Sequence, residues 1–270
     1  MRFVSKVSAR FSAVIVACGL STAAAATTLN ITVTNNQPAG GFSITPLYLG
    51  FHNDQFDAFN AGEAASPGVE EIAETGMAGV VAGERLAADP NSQGLVIASP
   101  TGAPPIQPGE SESAQITLNP TDALFLTFLS MVLPSNDTFI GSDDPIQLFD
   151  SSGNFLGDQI IEVTREQTYD AGTEVNGLTG AAFLANEDIS LGDAENGIIT
   201  PVQDLTEFAG QELVTGDILG DATLLGFFSD TSNPSFVTIS ISEVNPIPLP
   251  ASAPLLLAAL GLMGWRRFKA

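Results

Sequence analysis

Two acidic loops hold the side chains best suited to chemistry. Pro134-Ser135-Asn136-Asp137-Thr138-Phe139-Ile140-Gly141 follows the most apolar run of the chain, and Tyr169-Asp170-Ala171-Gly172-Thr173-Glu174 lies further on. Calcium takes about six to eight oxygen ligands, several of them carboxylates, gathered from loops at a strand edge. In the second loop, Gly172 permits a tight turn that would aim the Asp170 and Glu174 carboxylates at one ion. Spacing alone favours solvated acidic loops over a metal site.

Other chemistry is poorly supplied. His52 is the only histidine, so imidazoles cannot cluster around zinc. A Ser–His–Asp triad would have to use it, and no Gly-x-Ser-x-Gly turn accompanies it. A hydrogen-bonded structural histidine is the simpler reading. No P-loop or dinucleotide fingerprint appears. With 31 acids, a carboxylate pair for glycoside hydrolysis is always available, yet no pair stands out.

Charge narrows the partners. Of the 8 basic residues, Arg2, Lys6 and Arg10 open the chain and Arg266, Arg267 and Lys269 close it. Only Arg85 and Arg165 lie among the 31 acids, all of which fall between Asp54 and Glu243. Such a body excludes a nucleic-acid binder, which needs clustered Lys and Arg on the phosphate backbone. Cations, cationic partners or plain solubility remain as what the charge serves. The mean hydropathy of +0.23 excludes a wholly disordered chain.

Both ends read as addresses. Residues 1–26 have basic residues first, an apolar run from Phe11 to Leu20, and small residues ending Ala24-Ala25-Ala26, as a secretory signal peptide does. Cleavage there removes Cys18, the only cysteine, and leaves no thiol or disulfide. Ile15-Val16-Ala17-Cys18 offers a competing cut, in which Cys18 would be lipidated as in a lipoprotein. At the other end, Ile247-Pro248-Leu249-Pro250-Ala251 precedes an apolar stretch to Trp265 and then Arg266-Arg267-Phe268-Lys269. From Pro250 to Trp265 a helix would reach about 24 Å, slightly short of a bilayer core. The terminal cations would stay in the cytoplasm, leaving the acidic body outside. This tail, residues 245–270, resembles the PEP-CTERM class of sorting signals in its VPLPA-type variant, with Ile247 at the first motif position. The resemblance implies a transmembrane helix, a transient membrane-anchored intermediate, and recognition and removal of the tail by an exosortase. It further implies delivery to the cell surface or extracellular matrix of a Gram-negative bacterium. An ordinary C-terminal membrane anchor is the alternative.

The elements between the ends, residues 27–244, must position the loops. Leu29 to Thr34, Val237 to Ser242 and Ala114 to Leu118 alternate as half-buried strands do. The first and last of these are expected to close one sheet. Leu124 to Leu133 is almost continuously apolar, which suits a central strand, though a buried helix has the same pattern. Ile146 to Phe149, turning through Asp150-Ser151-Ser152-Gly153-Asn154 into Phe155-Leu156, reads as a hairpin. One helix is expected from Pro67, capped by Ser66 and stopped by Gly76, and a second from Met77 to Ala88. Residues 177–233 have weak periodicity and read as long loops. Short strands between Gly and Pro turns point to a sandwich.

Several ordered motifs carry a further resemblance: Ile31-Thr32-Val33-Thr34-Asn35, Phe42-Ser43-Ile44-Thr45-Pro46, Gly50-Phe51-His52-Asn53 and Phe56-Asp57-Ala58-Phe59-Asn60-Ala61-Gly62. Ile72-Ala73-Glu74-Thr75-Gly76, Met131-Val132-Leu133-Pro134-Ser135-Asn136-Asp137 and the Tyr169–Glu174 loop complete the set. From about residue 28 to 243 the body resembles the spondin N-terminal domain family. The resemblance implies a C2-like antiparallel β-sandwich with short helices and a calcium ion at one end. It maps the metal ligands onto Asp137, Asp170 and Glu174, the last a departure from the aspartate of animal members. It supplies no enzyme activity. The expectation is an exported, surface-sorted calcium-binding protein working in adhesion or extracellular-matrix association, without enzymatic activity. Extracellular polysaccharide or surface proteins would be its partners. A carboxylate-dependent extracellular hydrolase is the alternative.

Overall fold

The computed structural model describes residues 26–99, 105–202, 204–220 and 234–244. Cys18 and its leader segment (save Ala26), and the tail from residue 245, lie outside the described residues. Among those described, no helix is long and apolar enough to cross a membrane.

Alternation builds the smaller sheet. In β1 (Thr27–Asn35), Leu29, Ile31 and Val33 are buried while Asn30, Thr32 and Thr34 between them are not. β1 lies between β5 (Ser111–Leu118) and β12 (Val237–Glu243), and β9 (Gln159–Val163) completes the order β5-β1-β12-β9. All pairings are antiparallel, with Leu29 opposite Glu243 and Asn35 opposite Val237. The first and last strands thus share one sheet, as their patterns predict. On its outer face, hydroxyls pair across the ladder: Thr32 with Ser113 at 2.7 Å and Thr34 with Ser111 at 2.8 Å.

The larger sheet is buried along its central strands. β6 (Phe125–Leu133) runs through it between β3 (Leu47–His52) and β7 (Thr138–Gly141), so the continuous apolar run is a strand covered on both faces. β4 (Gln93–Ile97) extends the sheet beyond β3; β10 (Thr168–Asp170) and β11 (Thr200–Pro201) extend it beyond β7. Two short strands, β2 (Ser43–Ile44) and β8 (Ile146–Gln147), also pair with β6. The expected hairpin beyond β8 turns at Asp150, where Phe149 bridges Phe155. The Asp150 carboxylate accepts the N–H groups of Ser152 and Asn154 there.

Between β3 and β4 the chain forms two helices. Ser66 caps α1 (Pro67–Thr75) by accepting the Val69 N–H at 3.2 Å, and Gly76 ends it in the left-handed region. α2 (Gly79–Ala88) stops at Asp89. One core lies between the sheets around Phe42, Phe128, Phe149 and Phe236. A second lies under the helices, where Val69, Ile72 and Val81 meet Tyr48, Phe139 and Tyr169. The described part of residues 177–220 is irregular, with short 3-10 turns at 189–191 and 206–208. It nevertheless buries Leu184, Phe208 and Leu219 in the first core. The architecture is mainly antiparallel β with two short helices, arranged as a sandwich.

Candidate metal centre

The site forms where β6 hands the chain to β7. Ser135 closes that turn: its hydroxyl donates to the Val132 carbonyl at 2.7 Å and accepts the Thr138 N–H at 3.2 Å. Asn136 ties the turn to the other acidic loop, donating to the Val175 carbonyl at 2.6 Å and accepting the Gly177 N–H at 3.3 Å. Asp137, the next residue, has no exposed surface.

The β7–β10 ladder brings Asp170 to it. Asp170 lies opposite Thr138, and the Ala171 N–H donates to the Asp137 carbonyl at 3.1 Å. Asp170 is held in its own turn by the Gly172 N–H at 2.8 Å and the Asn176 amide at 3.2 Å. Gly172 sits at φ +67°, and a Cβ there would come 2.7 Å from the Ile198 carbonyl oxygen, so the turn requires glycine.

Two of the three expected ligands therefore converge. One Asp137 oxygen, Oδ2, accepts the Glu174 N–H at 3.3 Å; the other, Oδ1, is buried with no donor. Burial first, and then the Asp170 charge beside it, push Asp137 from 3.8 up to about 8. A protonated Asp137 donates toward Asp170.

Glu174 meets Asp137 through its N–H, while its carboxylate hydrogen-bonds Asn136. A bridge to Ala194 turns the side chain onto Gly192, where both oxygens lie 2.1 Å from the place a Cβ would occupy. Burial, then the Glu74 charge, raise its carboxyl above the usual range. The turn at Gly172 exists, but Asp170 and Glu174 leave it toward different partners. Among the described residues, no three His, Cys, Asp or Glu side chains stand close enough to hold a metal.

Neutral oxygens are available instead. Thr138 Oγ1 and Asn176 Oδ1 are both buried without partners; Thr138 lies opposite Asp170, and Asn176 already holds Asp170 through its amide. Two aspartates with hydroxyl and amide oxygens form a hard, all-oxygen donor set, which suits calcium rather than zinc. Sequence reading missed Thr138 and Asn176, although each lies within two residues of a proposed ligand.

His52 lies elsewhere, wholly buried on β3. Its Nε2 pairs with the Thr127 hydroxyl at 3.0 Å, and its ring packs against Phe56 and Phe125. Burial lowers it to about 4, so it is neutral at physiological pH.

Two antiparallel sheets, two short helices and an acidic turn make a sandwich-like β module. The Spondin_N family model matches residues 35–188, more than half of the chain. The chain belongs to the Spondin_N family. The match begins at the last residue of β1 and ends before β11 and β12, although β12 completes the β1 sheet. No curated protein matches the chain.

Proposed function

We propose that this is an exported, calcium-binding surface domain that works in adhesion or matrix association and has no enzymatic activity. One observation carries the reading. Asp137 buries a carboxylate oxygen with no donor beside a second carboxylate, an arrangement that is unfavourable until a cation neutralises it. Asp137 and Asp170 would hold the ion, with Thr138 and Asn176 supplying neutral oxygens. Bound calcium would supply charge neutralisation and cross-link the β6–β7 turn to the loop after β10. Glu174 is proposed as a support of Asp137 through its N–H.

Membership of the Spondin_N family suggests an extracellular protein. The remaining assignments extend that suggestion. Residues 1–26 are the signal peptide, residues 27–244 the C2-like domain, and residues 245–270 the PEP-CTERM signal that an exosortase removes. Polysaccharide or surface proteins are the proposed partners. A hydrolase also needs two acids, but Asp137 has no exposed surface, and neither aspartate lines the cavities of about 220, 490 and 350 Å³. Calorimetric titration of the full chain with calcium tests the reading. The expected result is one site, abolished by Asp170→Asn; equal calcium uptake by the variant would discard it.

A further inference from the structure

Arg85 is one of only two cations between the chain ends, and it is 4% exposed. It crosses the larger sheet at paired glycines. Gly50 of β3 stands opposite Gly94 of β4, and a Cβ on either would meet the side chain: Cδ at 2.9 Å from Gly50, Nη2 at 3.0 Å from Gly94. Nε donates to the Tyr48 hydroxyl at 2.8 Å, and Nη1 donates to the Ser92 hydroxyl. Both partners are neutral. Among the described residues no carboxylate hydrogen-bonds this guanidinium. An arginine keeps its charge when buried, and its planar fork matches a carboxylate.

Arg85 lines a cavity of about 490 Å³ between α2 and the edge strand β4. Arg85 and Tyr48 supply its only polar side chains; Ala78, Ala82, Leu95 and Val96 are among the rest. A second cavity, about 350 Å³, shares Pro46 and Gly76 with the first and continues along Met77, Met131, Leu133 and Phe183. Neither lining contains an acid, in a chain with 31 of them. The two cavities together offer one cationic end followed by a mostly apolar path, and no metal ligand named above lines either.

We propose that this groove binds an aliphatic monocarboxylate, its head group on Arg85 and its chain running past Pro46 and Gly76 into the second cavity. A guanidinium hydrogen-bonded only to neutral hydroxyls selects the carboxylate, and the apolar walls select a hydrocarbon chain. The proposal is independent of calcium at Asp137.

Calorimetry of the full chain with hexanoate, octanoate and decanoate, all below their micellar concentrations, tests it. Affinity should rise up to roughly fourfold per added methylene. Decanoate should bind at least about tenfold tighter than 1-decanol, the margin of one charge-assisted contact. Arg85→Met should erase that margin. Met77→Glu, at a position already 58% exposed, should weaken decanoate more than hexanoate. Should Arg85→Met fail to fold, Met77→Glu and the decanol comparison decide. Absence of decanoate binding, equal binding of decanol, or indifference to both substitutions would each overturn the proposal.

Discussion

Gly68 of α1 rests directly on the backbone of Val81 in α2: a Cβ at Gly68 would lie 2.6 Å from the Val81 Cα. The Glu84 carboxylate closes the same contact, accepting the Gly68 N–H at 2.9 Å and the Ser66 hydroxyl at 2.9 Å. The close approach of the two helices therefore depends on a missing side chain. Gly68→Ala should force them apart and cost about 1–3 kcal/mol, the usual range for overpacking. Chemical denaturation of both proteins measures it; an unchanged midpoint would mean that the helices separate freely.

Asp137 should reverse its effect with calcium. In chelator, Asp137→Asn removes a buried, poorly satisfied carboxyl and should stabilise the protein by about 1–3 kcal/mol. In excess calcium the parent gains binding energy that the variant lacks, so the order of melting temperatures should invert. Thermal melts of both proteins in both buffers check this. The same order in both would contradict a metal at Asp137.

The pH dependence follows from the same group. Its folded value of about 8 stands far above the 3.8 of an unfolded aspartate. Between those values the folded chain holds a proton that the unfolded chain has released. Stability in chelator should therefore fall as pH rises from about 4 to 8. Calcium must displace that proton, so its affinity should rise over the same window, by up to about tenfold per pH unit. Calcium titrations at a series of pH values test this, and a flat profile would argue against Asp137 as a ligand.

His52 acts with the opposite sign. Its folded value of about 4 lies below the ordinary 6.5, so the stability it contributes is complete above pH 6.5 and is lost as pH falls through 4. His52→Gln should flatten that acid limb. His52→Ala should cost about 2–4 kcal/mol through the cavity left between Phe56 and Phe125 while sparing calcium affinity. Loss of calcium binding in a folded His52→Ala protein would assign the histidine a different role.

The ends have their own test. Intact mass of surface-released protein is expected to show a start at Thr27 and truncation near Pro248–Ala251. A species lipidated at Cys18, or an outer fraction retaining the tail, would refute the corresponding half.

Strands with one wet face were legible because their sequences alternate: β1, β5 and β12 carry that pattern in their own residues. β3 was not, since Leu47 to His52 are all buried and no period survives. β9 was obscured by Ile160, which is 69% exposed where an apolar residue should turn inward. The helix pair was readable from its punctuation at Ser66, Pro67 and Gly76. The site was half readable. No spacing rule connects Asp137 with Asp170, because their meeting depends on the register of β7 against β10; only the family resemblance linked them. The direction of Glu174 is set by its bridge to Ala194, a contact that lies outside the loop itself.

The pairing of β1 with β12 also dictates an order of events. Among the described strands β1 is made first and β12 last, yet they are neighbours within the sheet that forms one wall of the inter-sheet core. A chain emerging from its N-terminus can pair β1 with β5, but the opposite hydrogen-bonding edge of β1 stays open until residues 237–243 arrive. Closing so long a loop is entropically costly and slow. The growing polypeptide therefore carries an unfilled slot for most of its synthesis, and anything that delays its final segment prolongs the time in which a chaperone, or a foreign strand, can occupy that slot.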